Sequence, residues 1–321
     1  MSETGKQVAV GIDLGGTAVK IGIVNASYEI LAQTSIPTNA GRPYEAVIAD
    51  MGKTAASLLD GNGFLVADCA GVGVGSPGTI DSQNGVVLYS NNIRWDNVPL
   101  AKELQKYLPV PVCVQNDANC AALGEVLCGA AKGFQNAVFL TLGTGVGGGV
   151  IVGGRPIVGS GGAGGEIGHL CVNYEETDHC GCGKTGCLEQ YASATGIARL
   201  ARIRLTKNDD PSILRGCEMG EITAKTVFDA LKEGDKIAGE IVEEFGSYLG
   251  HAMANIAAVT DPTVIVIGGG VSKAGEIILG YIEKYYQEKA FFANRHTKFI
   301  LAELGNDAGI CGSAKLVIDE K

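Results

Sequence analysis

The chain has 321 residues, 48 of them glycine, roughly twice the ordinary share, with 46% hydrophobic and 19% charged residues. No three-residue glycine period runs through it and its apolar content is too high for a disordered tract, which excludes collagen-like and low-complexity classes. Acids exceed bases by 10 (35 against 25) and no run of five Lys/Arg occurs, which excludes a nucleic-acid or anionic-membrane footprint.

The N-terminal MSETGKQ leads straight into an apolar segment without a basic n-region or apolar h-region, so no secretory signal and a cytoplasmic location are expected. Residues 8–24, VAVGIDLGGTAVKIGIV, read as strand, glycine turn and second strand. In that turn, Asp13-Leu14-Gly15-Gly16-Thr17 offers consecutive backbone N–H groups, a hydroxyl and a carboxylate. Such a nest binds phosphate oxygens, and the carboxylate can hold Mg²⁺; an ordinary hairpin turn is the alternative. Residues 44–59 have helical apolar spacing, and 71–74 form a strand leading into Ser76-Pro77-Gly78.

A strand over 110–114 then ends at Gln115-Asn116-Asp117, with a helix over 118–127. A carboxylate at a strand's carboxyl end can take a proton from a substrate hydroxyl, as phosphoryl transfer to an alcohol requires. Asp117 could equally cap the helix that follows, and both alternatives stand at this point.

Thr141-Leu142-Gly143-Thr144-Gly145 repeats the first loop 128 residues later, again between apolar strands. The segment 137–154 has the length of a membrane span, but seven of its eighteen residues are glycine and it divides into strands at 138–142 and 150–152. The repeat fits two related domains whose loops, if they face each other, grip one polyphosphate. Two G-x-G-x-x-G matches, at 73–78 and 143–148, do not run into a helix and are not dinucleotide sites. Gly183-Lys184-Thr185 is a Walker A decoy, because Asp178 stands where a glycine is needed.

Cys180-x-Cys182-x4-Cys187, preceded by His169, supplies a Cys₃His set suited to a closed, structural zinc site, with Gly181, Gly183 and Gly186 letting the chain wrap an ion. Cys171 and His179 are alternative ligands. If one ring nitrogen of His169 binds metal, the other has a fixed tautomer and can meet a substrate hydroxyl. Glu166 and Glu189 flank the set and can accept hydrogen bonds from a polyhydroxylated ligand. The other six cysteines are scattered and read as small buried hydrophobes. Helices follow at 193–205, 223–232 and 235–259, then a buried strand at 264–267, Gly268-Gly269-Gly270 where a flat adenine could lie on the backbone, a helix from Ser272, and a closing helix at 308–318. Strands alternating with helices give the class α/β.

Together, GIDLGGTAVKIGIV, GVGVGSPGTID, NNIRWDNVPL, VQNDANCAALGE, LGTGVGGGVI, GGEIGHL, CGCGKTGCLEQYASATGI and IVIGGGVS resemble the ROK family (repressors, uncharacterised reading frames and sugar kinases), specifically its bacterial glucokinases, from Gly11 to Ala314. The resemblance implies two actin-like (ribonuclease H-like) domains of the hexokinase/actin superfamily around a central cleft. The small one would span 1–117 plus about 303–321, and the large one 118–302 with the zinc motif. It implies ATP-dependent phosphorylation of a hexose, most simply D-glucose to glucose 6-phosphate. Kinases for mannose, fructose, allose or N-acetylmannosamine and a sugar-responsive repressor are the alternatives. A repressor would need a DNA-reading region, for which the loop at Asp13 leaves no room upstream.

Asp117 would be the general base, and Asn92, Asn116, Glu166, His169 and Glu189 would bind sugar hydroxyls. Asn92 is chosen over Asn91 by its distance from Trp95. His169, Cys180, Cys182 and Cys187 would hold structural Zn²⁺. Asp13, Gly15, Gly16, Thr17, Lys20, Gly143, Thr144 and Gly145 would attend the phosphates of ATP with Mg²⁺, and Gly269-Gly270 the adenosine. The segment 171–179 lacks the glycine-rich stretch common in the family before the first zinc cysteine, so a different backbone is expected there. Partners would be a hexose and a second copy of the chain in a homodimer or higher homo-oligomer, with neither nucleic acid nor membrane.

Overall fold

The computed structural model describes residues 8–318; the heptapeptide on which the absence of a secretory signal is read lies outside them. Strand β1 (Val8–Leu14) is buried almost throughout, as a central strand covered on both faces must be. Its alternation sorts the two faces. Val8, Val10, Ile12 and Leu14 join one apolar core, while Ala9 joins a second with Ile310 and Ala314. The chain turns into antiparallel β2 (Ala18–Asn25), which places Asp13 opposite Lys20. The edge strand β3 (Ile30–Pro37) follows. Helix α1 (Tyr44–Gly61) lays Val47, Ile48 and Met51 on the first core and leads to β4 (Cys69–Ser76), parallel to β1.

A small antiparallel sheet of β5 (Thr79–Asp81), β6 (Val86–Ser90) and β7 (Trp95–Val98) comes next. Helix α2 (Leu100–Leu104) then returns the chain to β8 (Val112–Asn116), parallel to β4, and α3 (Asp117–Cys128) follows it. The main sheet of this half has the order β3-β2-β1-β4-β8.

The pattern then repeats. Strands β9 (Ala137–Leu142) and β10 (Val146–Val152) flank the second glycine loop, followed by the short β11 (Arg155–Pro156). Helices α4 (Glu189–Ala192), α5 (Ala194–Lys207), α6 (Ala224–Lys232) and α7 (Lys236–Thr260) precede β12 (Val264–Gly268), α8 (Ile277–Lys289) and β13 (Lys298–Leu301). This sheet has the order β11-β10-β9-β12-β13, with β12 parallel to both β9 and β13. The closing helix α9 (Asp307–Ile318) returns to the first half. Among the described residues no helix is long and apolar enough to cross a membrane.

The chain divides into two compact units, one built from the chain up to Gln135, Gly149–Gly165 and the chain from Leu304, the other from Asn136–Gly148 and Glu166–Glu303. The first unit therefore keeps α3, which the sequence boundary at 117/118 assigns to the second. Its reason is close packing against α9 that only glycine allows. A Cβ at Gly312 would stand 1.7 Å from the Cys120 carbonyl oxygen, and one at Gly73 would stand 1.7 Å from that of Ser313. The glycines at 71–78, which include the strand read over 71–74, thus contain a β4 position that seats a helix backbone on a sheet.

One helix reading stands, while one helix and one strand reading shift. The helix expected over 193–205 is α5, capped by Ser193, whose hydroxyl accepts the Gly196 N–H, and the separate short α4 precedes it. The helix expected from Ser272 is a short 3₁₀ turn, Val271–Ala274, before α8. The strand expected at 150–152 begins at Val146, because the glycines at 147–149 are accepted into β10.

Candidate active site

In each sheet the candidate residues gather at the carboxyl ends of parallel strands, where open α/β sheets bind ligands. In the first unit, Asp13 pairs with Gly75 across β1 and β4, and Ser76 pairs with Asn116 across β4 and β8. The first glycine loop is held shut by Gly15 N–H donating to Ala18 O at 3.0 Å, and by Thr38, whose N–H donates to Thr17 O at 2.9 Å and whose hydroxyl donates to Gly15 O at 2.6 Å. Gly16 and Thr17 lie exposed at its tip. Half-buried Lys20 donates to Asp13 Oδ2 at 3.2 Å and to Asn306 Oδ1 at 3.1 Å, at the start of α9. Asn92, also exposed, borders the same loop: a Cβ at Gly16 would stand 3.5 Å from the Asn92 carbonyl oxygen.

At the end of β8 the capping question has a definite answer. Asn116 is the N-cap of α3. Its Oδ1 accepts the N–H groups of Ala118 at 2.9 Å and Asn119 at 3.2 Å, and its Nδ2 donates to Gly78 O at 3.1 Å. Asp117 is the first residue inside the helix, half-buried, with Oδ1 2.9 Å from the Ala118 nitrogen. The helix end is already satisfied by Asn116, so capping does not account for a carboxylate at 117.

In the second unit the loop Gly143-Thr144-Gly145 follows β9. Gly143 N–H donates to Gly145 O at 3.0 Å, Ala194 N–H donates to Gly143 O at 2.8 Å, and Thr195 hydroxyl donates to Thr144 O at 2.7 Å. Gly269 and Gly270 follow β12 and lie beside Leu142. A Cβ at Gly269 would stand 2.6 Å from the Leu142 nitrogen, and φ there is 86°. Glu189 joins this loop to the cysteines. Its Oε2 accepts Val146 N–H at 3.0 Å, its Oε1 lies 3.5 Å from Cys180 Sγ, and a Cβ at Gly145 would collide with Oε2.

The donor atoms of His169, Cys180, Cys182 and Cys187 all lie within 4.8 Å of one another. Cys182 Sγ and Cys187 Sγ are 3.6 Å apart, and Cys180 Sγ is 3.8 Å from His169 Nδ1. A tetrahedral ion with metal–sulfur bonds of about 2.3 Å separates its ligands by about 3.8 Å, so the donor set fits one. Nδ1 is the nitrogen turned to the thiols, which leaves Nε2 facing elsewhere. Burial foremost, with hydrogen bonds to Cys182 and Cys180, pushes the Cys187 thiol up to about 12. A thiolate there therefore calls for a cation. The alternative ligands stand aside: exposed Cys171 points its Sγ at Asn173 O, 3.8 Å away, and exposed His179 pairs its Nδ1 with Gly183 O at 3.1 Å. Glu166, also exposed, sits one residue before the 3₁₀ turn Ile167–His169, its carbonyl accepting His169 N–H at 3.1 Å.

The segment before the first zinc-motif cysteine is held by side chains rather than by glycines. Arg199 Nη2 donates to Glu176 Oε2 and Asp178 Oδ2, both at 2.7 Å, and Tyr191 hydroxyl donates to the same Glu176 oxygen at 2.6 Å. Tyr191 stacks on Tyr248 with ring centroids 3.9 Å apart. Burial opposes the Glu176 charge, but hydrogen bonds from Tyr191, the Asp178 backbone and Arg199 outweigh it and hold the carboxyl at about 2. Gln190 completes the tie, accepting Cys187 N–H at 3.0 Å and donating to Asp178 O at 2.9 Å. Sequence reasoning singled out none of Glu176, Gln190, Arg199, Thr38, Thr195 or Asn306 for a role. The visible signal was the missing glycine stretch over 171–179, which required some other anchor.

The description of the ROK family matches residues 9–320. The chain belongs to the ROK family. A glucokinase of Halalkalibacterium halodurans is 41% identical to it over 310 residues, covering 96% of this chain and 94% of that protein. A glucokinase of Thermotoga maritima is 37% identical over 311 residues, covering 96% of each. Among solved structures, a ROK family glucokinase from Streptomyces griseus in complex with glucose and AMPPNP is similar with a TM-score of 0.79 and 32% identity, over 97% of this chain and 99% of that one. The architecture is thus that of the ROK sugar kinases in the actin–hexokinase superfamily.

Proposed function

We propose that this ROK protein transfers the γ-phosphoryl group of ATP to the 6-hydroxyl of D-glucose. The observation that carries the proposal is Glu189. One carboxylate reaches both the His169–cysteine cluster and the backbone N–H beside the second glycine loop, which ties the residues read as binding hydroxyls to those read as binding phosphate. The relatives named glucokinase, and the one solved with glucose and an ATP analogue, support the same reading.

In this reading the loops at Gly15–Thr17 and Gly143–Gly145 offer backbone N–H groups to the phosphates, with Lys20 and Asp13 attending the charge and the Mg²⁺ of the ATP complex. Gly269 and Gly270 leave room for the adenosine. Asn92, Asn116, Glu166, His169 and Glu189 hold the sugar hydroxyls. Zinc bound by His169, Cys180, Cys182 and Cys187 is structural, fixing the tautomer and orientation of His169 so that Nε2 meets the sugar. Asp117 receives the proton of the 6-hydroxyl as its oxygen bonds to the γ-phosphorus; the bond from that phosphorus to the bridging oxygen breaks and ADP leaves. The test is ADP release measured with and without glucose. Glucose-dependent ADP release with stoichiometric sugar phosphate is expected, and ADP release that ignores glucose contradicts the proposal.

A further inference from the structure

In both glycine loops a carbonyl accepts a hydroxyl from a residue outside the loop, 23 and 51 positions away in the chain. Thr38, 1% exposed just past β3, donates from Oγ1 to Gly15 O at 2.6 Å, and Thr195, in the first turn of α5, donates from Oγ1 to Thr144 O at 2.7 Å. In each case the acceptor carbonyl belongs to a peptide inside the loop. A trans peptide points its C=O and the next N–H in opposite directions. A hydroxyl that fixes the Gly15 carbonyl therefore fixes the Gly16 N–H on the other side of the peptide plane, and one that fixes the Thr144 carbonyl fixes the Gly145 N–H. Glycine peptides rotate more freely than others, so each tie narrows the direction of these N–H groups further than the backbone bonds of the loop alone.

We propose that Thr38 and Thr195 are positioning residues for nucleotide binding: each clamps one loop carbonyl so that the following N–H is presented to a phosphate oxygen of ATP. The two clamps are built alike although the residues share no motif, and each is supported locally. Thr38 also donates its N–H to Thr17 O at 2.9 Å, and Thr195 Oγ1 lies 3.0 Å from Ser193 Oγ, which in turn donates to Glu189 O at 2.6 Å. A preorganised N–H stabilises phosphate charge without reorganising at the moment of binding. The clamps should act on ATP and leave glucose alone.

This assignment rests on the loops being the nucleotide site, and the experiment separates the two. Thr38→Val and Thr195→Val keep the side-chain shape and remove the donor. Each is expected to raise the KM for ATP about two- to tenfold, as loss of one ordinary hydrogen bond does, while the KM for glucose stays within about twofold. Thr38→Ser and Thr195→Ser, which keep the hydroxyl, are expected to restore the ATP KM. Equal rises for ATP and glucose, or serine variants no better than valine, would show a merely structural role and overturn the assignment. ATP titrated into wild-type protein labelled with ¹⁵N-glycine should shift the Gly16 and Gly145 amides. If neither shifts, the nucleotide-loop reading itself fails. If both shift while the valine variants bind ATP normally, only the clamps fail.

Discussion

Replacing Asp117 with Asn separates a helix-capping role from a chemical one. Asparagine keeps the shape and removes both the charge and the ability to hold the transferred proton. The α3 end does not depend on it, because Asn116 accepts the Ala118 and Asn119 N–H groups and anchors to Gly78. Asp117→Asn forfeits the attraction between its charge and the helix N-terminus, about 0.3–1 kcal/mol. In a domain of about 150–250 residues that lowers the melting temperature by about 1–4 °C. Turnover should fall about 10²–10⁴-fold, the usual effect of losing a positioned general base. Asn116→Ala is the matched comparison: it loses the cap, about 1–2 kcal/mol, and the Gly78 tie, about 1 kcal/mol more. The assays are steady-state ADP release at saturating ATP and glucose and a thermal melt of each variant. If Asp117→Asn keeps a tenth or more of wild-type turnover, or melts below Asn116→Ala, then Asp117 is a structural residue and its assignment as base is wrong.

Metal analysis should find one zinc per chain, and Cys182→Ser should raise the glucose KM before the ATP KM; a fully active metal-free enzyme would refute the structural role of the cluster. The Glu176 carboxyl is held at about 2, below its ordinary 4.5. Its stabilising share is therefore complete above about pH 4.5 and is lost as pH falls toward about 2. Glu176→Gln should flatten that acid limb of a urea-midpoint-against-pH curve and speed metal release to a chelator at neutral pH, whereas an unchanged limb would sever Glu176 from the anchoring of 171–179. Gly312→Ala should cost about 1–3 kcal/mol or more, since its Cβ would stand 1.7 Å from the Cys120 carbonyl oxygen. A melt like that of wild type would show that α3 and α9 are not closely seated.

The parts of the site legible in the sequence are those made by near neighbours. Asp13–Thr17 and Thr141–Gly145 each bring their own backbone donors and turn, and Cys180, Cys182 and Cys187 lie within one short glycine-punctuated loop. What stays hidden depends on chain returning from a distance. Asn306 reaches Lys20 across 286 positions and Thr38 reaches Gly15 across 23, and neither belongs to a periodic pattern. Glycine itself misleads, because one residue type serves two physical ends. Gly143 stands in a loop with open space about it, whereas Gly73 and Gly312 remove a Cβ so that α9 can lie on β4 and α3. Only the partner surface tells these uses apart. The capping question at Asn116-Asp117 was undecidable from residue types, since both are good caps; the direction of the Asn116 side chain settles it.

The central claim is tested most directly by competition. The intact protein is given ATP, Mg²⁺ and equal amounts of glucose, mannose, fructose and N-acetylmannosamine, and the products are resolved by phosphorus NMR. Glucose 6-phosphate is predicted to dominate from the earliest time points. Phosphorylation chiefly of N-acetylmannosamine or another sugar, or ADP formed with no sugar phosphate at all, would contradict the account.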